Sequence, residues 1–286
     1  MSTTFSSTTT ERANGSAPTR NAVPSVRRKP PVPNLPQPLL TLDHISFGGR
    51  IVQGASLSLY PGEVLCLVGK SGAGKSTLLR TAAGCLPPTK GRVLLSVDGE
   101  TPLSLYDLPE QALVSLRRRR LGFVAQDARE TLDLAASAAA NIAQTLFDNG
   151  ERHFGRALEA ARHWFAALDL DEARMRDLPG VFSGGMQQRL QIARALVHEP
   201  DILFLDEPTT GLDTSAQARL LRLLSELQRR TGVAMLLVTH DLRIARLLAH
   251  RVIVLHEGRI VEEAPPDRLV TDPSHPASRD LVASMI

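Results

Sequence analysis

The most informative stretch of the chain is Val64-Leu65-Cys66-Leu67-Val68, followed at once by Gly69-Lys70-Ser71-Gly72-Ala73-Gly74-Lys75-Ser76-Thr77. The apolar run predicts a buried strand, and Leu78–Ala83 after the loop predicts a helix. The loop fits the pattern G-x-x-x-x-G-K-[ST] in the strand–loop–helix context that the pattern requires. Such a loop presents backbone N–H groups and a helix N-terminus to phosphate groups. We expect Lys75 to reach the β- and γ-phosphates of a nucleotide and the Ser76 hydroxyl to hold Mg²⁺; a plain glycine turn is the alternative.

The composition fits one large globular domain, or one domain with an inserted subdomain. The chain has 286 residues, of which 43% are hydrophobic and 22% are charged. Its two cysteines, Cys66 and Cys85, lack metal-binding spacing and predict two buried, reduced thiols of a cytosolic protein. No apolar run approaches the roughly 18–20 residues of a membrane span, and the first residues do not resemble a secretory signal. We therefore expect a cytoplasmic location.

Most of the basic charge lies in the first 38 residues. Their cations are Arg12, Arg20, Arg27, Arg28 and Lys29, against Glu11 alone. The whole chain carries a net charge of +3, so residues 39–286 are nearly neutral. Because aromatic residues do not alternate with these cations, a nucleic-acid platform is disfavoured. The Ser-, Thr- and Pro-rich composition of residues 1–38 predicts a disordered tail, with an electrostatic contact to an acidic partner as the alternative.

A second basic run, Arg117-Arg118-Arg119-Arg120, follows a helix-like segment. Cations are favourable at a helix C-terminus, so a solvated helix end is one interpretation. A patch that faces a partner is the other.

Polar side chains follow three further predicted strands. The strands are Leu121–Ala125, Ile202–Leu205 and Ala234–Val238. Gln126 ends the first, and its amide could contact Mg²⁺ and the attacking water. After the second, Asp206 would hold Mg²⁺ through its water shell, and Glu207 would polarise the attacking water. After the third, His240 could bond the γ-phosphate. Surface carboxylates at a turn and a structural histidine are the alternatives.

Three other features complete the set of candidates. Phe47 lies between two predicted strands and could stack on an adenine ring or belong to the core. The segment Glu130–Leu178 has a helical pattern and predicts a helical insertion. Ser183 is a candidate N-cap, and with Gly184 and Gly185 it would form a second exposed anion site.

Taken together, the motifs resemble the nucleotide-binding domain of the ATP-binding cassette (ABC) superfamily. In chain order they are Gly69–Thr77, Gln126, Ser183–Met186, Asp206-Glu207, Asp213 and His240. The resemblance implies an α/β fold of the P-loop NTPase class, with an antiparallel β subdomain and an inserted helical subdomain. It also implies Mg²⁺-dependent hydrolysis of ATP to ADP and phosphate. On this basis we expect an ABC ATPase domain over residues 39–270, its helical subdomain at about residues 128–182, and a C-terminal helical extension over residues 271–286.

The resemblance further implies a second ABC domain as a partner, either a copy of this chain or a related protein. In the family two such domains sandwich two ATP molecules head to tail. Ser183 and the amides of Gly184 and Gly185 would then cap the γ-phosphate bound at Lys75 of the other domain. Asp213 would cross the interface.

A finer resemblance is to the ATP-binding K subunits of phosphonate carbon–phosphorus lyase systems. It rests on three stretches, 177–194, 211–221 and 240–249. The resemblance implies an ATPase that docks on a cytosolic lyase core for organic phosphonate catabolism. ATPases of oligopeptide and nickel importers, which bind membrane permeases, have similar stretches and are the alternative. A third hypothesis is a binding module that uses ATP only as a dimerisation switch, which the combination of Glu207 and His240 disfavours. After Gln126 the K subunits commonly have His-Pro, whereas this chain has Asp127-Ala128-Arg129.

Overall fold

The computed structural model describes Met1, residues 37–96 and residues 101–285. The predicted disordered tail, apart from Met1 and its last two residues, lies outside the described residues. In chain order the strands are β1 (Leu40–Phe47), β2 (Val52–Leu59), β3 (Val64–Val68), β4 (Lys90–Leu95), β5 (Leu103–Ser104), β6 (Leu121–Val124), β7 (Ile202–Asp206), β8 (Ala234–Thr239), β9 (Arg251–His256) and β10 (Arg259–Ala264). The α-helices are α1 (Lys75–Ala82), α2 (Glu110–Arg120), α3 (Ala138–Asp148), α4 (Phe154–Ala167), α5 (Gly184–Leu196), α6 (Thr214–Thr231), α7 (Leu242–Leu248), α8 (Pro266–Thr271) and α9 (Pro276–Ala283).

The strands form two sheets. One is antiparallel, in the order β2-β1-β4-β5, and the other has the order β10-β9-β3-β8-β7-β6. In the larger sheet β9, β3, β8, β7 and β6 run parallel, and β10 is added antiparallel at one edge. The expected α/β fold with an antiparallel β part is therefore present.

The burial of strand β3 on both faces explains why its sequence is entirely apolar. All five of its residues are buried, and they alternate between two cores. Val64, Cys66 and Val68 belong to the core shared with the helices, whereas Leu65 and Leu67 belong to the core shared with the antiparallel sheet. A parallel strand that is covered on both faces has no solvent side on which polar residues would be tolerated.

The helical segment between β6 and α5 has the predicted character. All of residues 130–178 are described, and they contain α3, α4 and short 3₁₀ turns but no strand. Phe165 is fully buried and Trp164 is 8% exposed, so both aromatic residues belong to the core. The proposed limits of the helical subdomain and of the C-terminal extension remain predictions.

The thiol prediction is wrong for one of the two cysteines. Cys66 is fully buried in β3, and burial raises the pKa of its thiol well above the ordinary value. Cys85 is exposed because the chain leaves α1 at Gly84 and turns to the surface, where Arg117 Nη2 lies 3.0 Å from the Cys85 sulfur. None of the helices in the described part of the chain is long and apolar enough to cross a membrane.

Candidate functional site

Two glycines of the loop between β3 and α1 approach other backbone segments closely. Gly74 precedes α1 with φ at 98°, and a Cβ atom there would collide with the Ile51 carbonyl oxygen. A Cβ atom on Gly69 would collide with the Leu255 carbonyl oxygen. The two positions therefore exclude larger residues through sterics, and Gly74 also requires a left-handed backbone that glycine adopts readily.

Lys75 is the first residue of α1, and only 5% of it is exposed. Its amine donates to the carbonyl oxygens of Gly69 at 2.9 Å and of Lys70 at 3.1 Å. Burial lowers the pKa of this amine, and the charges of Glu207 and Asp206 oppose that shift. The loop thus keeps a cationic amine inside its own curve, where an anionic group entering the loop would meet it.

Sheet order brings the ends of β3, β8 and β7 side by side. Val68 of β3 pairs with Thr239 of β8, and Val238 pairs with Asp206 of β7. Because parallel strands end at the same edge of a sheet, the glycine loop, His240 and the two adjacent acids meet there. This edge of an open α/β sheet is where ligands commonly bind.

Ser76 and Asp206 form the buried end of this cluster. The Ser76 hydroxyl donates to Asp206 Oδ1 at 2.7 Å, and Asp206 is 1% exposed. Burial raises the pKa of Asp206, whereas the Ser76 hydrogen bond and the charge of Arg80 act in the opposite direction. A hydroxyl and a carboxylate are oxygen ligands of the kind that Mg²⁺ prefers, so the residues present fit that ion.

Glu207 occupies the centre of the cluster. Its Oε2 lies 2.8 Å from His240 Nδ1 and accepts from the Thr210 hydroxyl at 3.0 Å. Its Oε1 lies 3.9 Å from Lys75 Nζ. The structure therefore brings together Lys75, Ser76, Asp206, Glu207 and His240, which the sequence places up to 165 positions apart.

Gln126 lies at the same sheet edge, just after β6. Val124 pairs with Leu205. Two residues further along the chain in each case, Gln126 and Glu207 therefore follow the ends of neighbouring strands. Its side chain is exposed, and we find no hydrogen bond from that side chain among the described residues. Strand β6 ends at Val124, one residue before the predicted end, because Gln191 of α5 binds both the N–H and the C=O of Ala125.

Ser183, Gly184, Gly185 and Asp213 form a separate group. Ser183 caps α5, and its hydroxyl accepts from the Met186 N–H at 3.4 Å. Asp213 caps α6 and accepts from the Ala216 N–H at 2.9 Å. The start of α5 packs on α6, since a Cβ atom on Gly185 would lie 3.5 Å from that of Ala216.

Among the described residues, we find no hydrogen bond or ion pair that joins this second group to the cluster around Lys75. The exposed N-terminus of α5, with Ser183, Gly184 and Gly185, stays the second candidate anion site, with Asp213 beside it at the start of α6.

Phe47 ends β1, where it pairs with Val52 of β2. It is partly buried against the core of the antiparallel sheet. This contact fits the core interpretation of Phe47, and stacking on an adenine ring stays a prediction.

The sequence analysis did not identify four residues that hold the candidate site residues, or the segments next to them, in place. Thr210 orients Glu207, Gln191 holds the backbone before Gln126, and Arg80 pairs with Glu130 at 2.8 Å. The fourth is Arg174, which holds the segment before Ser183 through contacts to Asp177, Val181, Phe182 and Met186. The partners of Gln191 and Arg80 are 66 and 50 positions away in sequence, so no local pattern signals those two contacts. Thr210 and Arg174 bind residues nearby in the chain, but the loops that bring these side chains together have no regular periodicity.

Comparison with known proteins gives a consistent result. A family profile described as ABC transporter matches residues 52–210. The Escherichia coli (strain K12) protein PhnK, provisionally named a phosphonates utilization ATP-binding protein, is 43% identical over 253 residues, which are 87% of this chain and 98% of PhnK. The dipeptide transport ATP-binding protein DppD of Bacillus subtilis (strain 168) is 35% identical over 259 residues, covering 85% of this chain and 74% of DppD.

Among solved structures, the fold matches a dimeric structure of the ATP-binding cassette MJ0796, in a post-hydrolysis state bound to ADP and Pi. The TM-score is 0.71 at 29% sequence identity, and the match covers 79% of this chain and 98% of that one.

Proposed function

The chain belongs to the ABC transporter family, and from this premise we propose that it is the ATPase subunit of a cytoplasmic carbon–phosphorus lyase complex for organic phosphonate catabolism. It has the fold of an ABC cassette and is an ATP-hydrolysing member of that family. The observation that carries the finer proposal is the 43% identity to PhnK, which extends over 98% of that protein. The name of PhnK connects it with phosphonates utilization and with ATP binding.

In this proposal the triphosphate of ATP lies in the loop Gly69–Thr77, against the backbone N–H groups and the start of α1. The Lys75 amine contacts the β- and γ-phosphates in place of the loop carbonyls. Its burial supports the assignment, because a charge away from water attracts an anion more strongly.

Glu207 polarises the attacking water, and His240 contacts the γ-phosphate. The 2.8 Å contact between them supports this assignment, since it holds the carboxylate at the place where water would approach. The Thr210 hydroxyl donates to the same carboxylate oxygen and limits rotation of the carboxylate. Positioning and charge neutralisation of this kind are most of what phosphoryl transfer requires from a protein.

Ser76 and Asp206 would hold Mg²⁺, and Gln126 would contact it from the end of β6. The support is the pair of oxygen ligands at one buried position. When bound, the ion would neutralise charge on the phosphates.

A second ABC domain completes each ATP site. Ser183, Gly184 and Gly185 would cap the γ-phosphate held at Lys75 of the other domain, and Asp213 would cross the interface. The support is the separation of the two groups within this chain, together with the dimeric form of the cassette MJ0796.

The second candidate function is the ATPase of an oligopeptide or nickel importer, peripheral to the membrane. The similarity to DppD favours it, at 35% identity over 85% of this chain. That importer ATPase would dock on membrane permeases, whereas the lyase ATPase would dock on an enzyme core.

Affinity capture of the tagged full-length chain from its own cells separates the two functions. We expect a multi-subunit lyase core to co-purify without detergent, identified by mass spectrometry. Recovery of a permease pair that requires detergent would reject the lyase proposal and support the importer. Release of phosphate from ATP by the purified chain would exclude the third hypothesis, a binding module that uses ATP only as a switch.

A further inference from the structure

A basic groove of about 740 Å³ lies among the ends of four helices. Arg119 contributes from the last turn of α2, Arg152 from the turn before α4, and Arg156 from the first turn of α4. Asn149 at the end of α3 and His198 after α5 also line it. None of the candidate ATP-site residues lines this groove, which we call the arginine groove.

The charges of the arginine groove are poorly compensated. Its three guanidinium groups meet one lining carboxylate, Glu151, which lies 3.8 Å from Arg156 Nη1. Within the described residues we find no ionic partner for Arg119 or Arg152. Glu151 is itself engaged, because its Oε1 accepts from the N–H groups of Arg152 and His153 at 2.7 Å each.

Helix stability accounts for only one of these arginines. Arg119 lies in the last turn of α2, where a cation is favourable. Arg152 and Arg156 flank the start of α4, which has no acidic residue in its first turn. Cations at a helix N-terminus oppose the helix dipole. Their position raises the positive potential of the groove without stabilising α4.

Buried polar atoms in the groove wall lack hydrogen bonds. The Asn149 amide nitrogen donates to the carbonyls of Arg118 and Thr145, both at 2.9 Å. These two bonds identify the nitrogen, so the other terminal atom of the side chain is the oxygen. That oxygen is buried and has no partner. Both His198 ring nitrogens are also buried without a hydrogen bond of normal geometry. Because these atoms are buried, an occupant does not reach them, and the groove presents mainly its cations.

An exposed aromatic side chain adjoins the two arginines in sequence. Phe154 is 68% exposed and stacks on Phe147 with 6.5 Å between ring centroids. An exposed phenylalanine held against a second ring is typical of a protein contact surface.

We propose that the arginine groove binds an acidic segment of a partner protein. The carboxylates of that segment pair with Arg119, Arg152 and Arg156, and an apolar side chain of the same segment covers the exposed Phe154. Inorganic phosphate offers no apolar surface for Phe154, so it fits this surface less well. The basic first 38 residues of this chain would be repelled by it.

The test measures binding of a short fluorescein-labelled peptide that alternates glutamate with leucine and phenylalanine, by fluorescence anisotropy with the full-length chain. We expect saturable binding that weakens as salt is raised and that is lost when glutamine replaces every glutamate. The double variant Arg152→Ala/Arg156→Ala should bind about tenfold more weakly, as two exposed ion pairs allow. Its ATP hydrolysis should equal that of the unsubstituted chain, which also verifies folding.

Two control variants separate the groove from general basic charge. Arg162→Ala removes an exposed arginine of α4 that pairs with Glu172 outside the groove, and Arg27→Ala/Arg28→Ala reduces the charge of the first 38 residues. Both should bind the peptide like the unsubstituted chain. Equal weakening in either control, or no peptide binding, would overturn the proposal. Tighter binding of tripolyphosphate or of single-stranded DNA at the same residues would also overturn it, in favour of that ligand.

Discussion

Glu207 follows β7 with φ at 44°, a left-handed conformation that costs a non-glycine residue on the order of 1–3 kcal/mol. Its N–H donates to the Val238 carbonyl at 3.0 Å, and the Thr210 hydroxyl holds its carboxylate. These contacts therefore hold Glu207 in a backbone conformation that it would not adopt without them. Four other described non-glycine residues also have a positive φ, so the support for a direct role of Glu207 comes from its place beside Lys75 and His240.

The first prediction concerns this carboxylate. We expect Glu207→Gln to bind ATP but to hydrolyse it roughly 100- to 10,000-fold more slowly, because an amide cannot act as a base. Phosphate release and ATP binding should be measured separately. Glu199→Gln is the matched control, since Glu199 is exposed and also has a positive φ, at 53°. Near-normal turnover of Glu207→Gln would exclude Glu207 as the base.

The second prediction uses the raised pKa of Asp206. Burial raises this pKa in the folded chain. As pH rises from the ordinary aspartate pKa through the raised value, Asp206 ionises more readily in the unfolded chain than in the folded chain, so the free energy of unfolding falls. Below the ordinary aspartate pKa the penalty is absent. Asp206→Asn should therefore stabilise the nucleotide-free, Mg²⁺-free chain at pH 8, by on the order of 1 kcal/mol, and much less at pH 4.

Denaturant unfolding at both pH values measures this difference. Asp272→Asn, at an exposed position, should leave the free energy of unfolding unchanged. If Asp206→Asn were less stable than the unsubstituted chain at pH 8, Ser76 and Arg80 would outweigh the burial cost. Its ATP hydrolysis should be lost in either case, because the proposed Mg²⁺ ligand is gone.

At the scale of elements, helix α5 connects the two candidate surfaces. Its N-terminus carries Ser183, and its Gln191 binds the backbone of Ala125 beside Gln126. The segment before it is held by Arg174, whose guanidinium lies 4.6 Å above the Phe182 ring and donates to Asp177 and to the Val181 carbonyl. Arg174 thus acts as a positioning residue for the start of α5.

The third prediction follows from these contacts. We expect Arg174→Ala to lower kcat for ATP several-fold, because the proposed γ-phosphate cap of the second domain loses its support. Binding of ATP to the isolated chain should not change, since Arg174 does not touch the loop around Lys75. Arg174→Lys should recover little, because an ammonium group cannot replace the planar fork of donors.

Arg176→Ala is the control for Arg174→Ala, in the same segment and at an exposed position. Its kcat should equal that of the unsubstituted chain. A loss of ATP affinity in Arg174→Ala without a change in kcat would contradict the positioning role.

At the scale of the whole molecule, each chain carries two groups of candidate residues that we propose to be the two halves of an ATP site. Lys75 and Glu207 lie at the edge of the larger sheet, whereas Ser183 and Asp213 lie at the ends of α5 and α6. Two chains in head-to-tail arrangement would supply both halves twice. The ABC cassette fold of this chain is consistent with such a dimer.

The fourth prediction tests that arrangement. We expect Glu207→Gln to form a dimer when ATP and Mg²⁺ are added, observed by sedimentation velocity, since slow hydrolysis preserves the bound ATP. Adding Ser183→Arg should keep this variant monomeric, because a bulky cation would block the cap and remove the N-cap of α5. Adding Ser225→Arg, on the exposed side of α6, should leave the dimer intact. A dimer that forms equally with Ser183→Arg would place the interface elsewhere.

The sequence by itself determined the local parts of the candidate site. A buried strand, a glycine loop and a helix start follow from residues close together in the chain, such as Val64–Val68 and Gly74. Acids after an apolar strand were identified at Asp206 and Glu207 for the same reason. Local patterns suffice here because backbone conformation and burial leave their trace in adjacent residues.

Only the tertiary structure decided which of these parts meet. The order β3-β8-β7 brings His240 to Glu207, and the exit of the chain at Gly84 leaves Cys85 exposed against the sequence prediction. The arginine groove likewise gathers side chains from several helices. Contacts between residues far apart in sequence depend on how sheets and helices pack, and that packing is a property of the whole chain that no single stretch encodes.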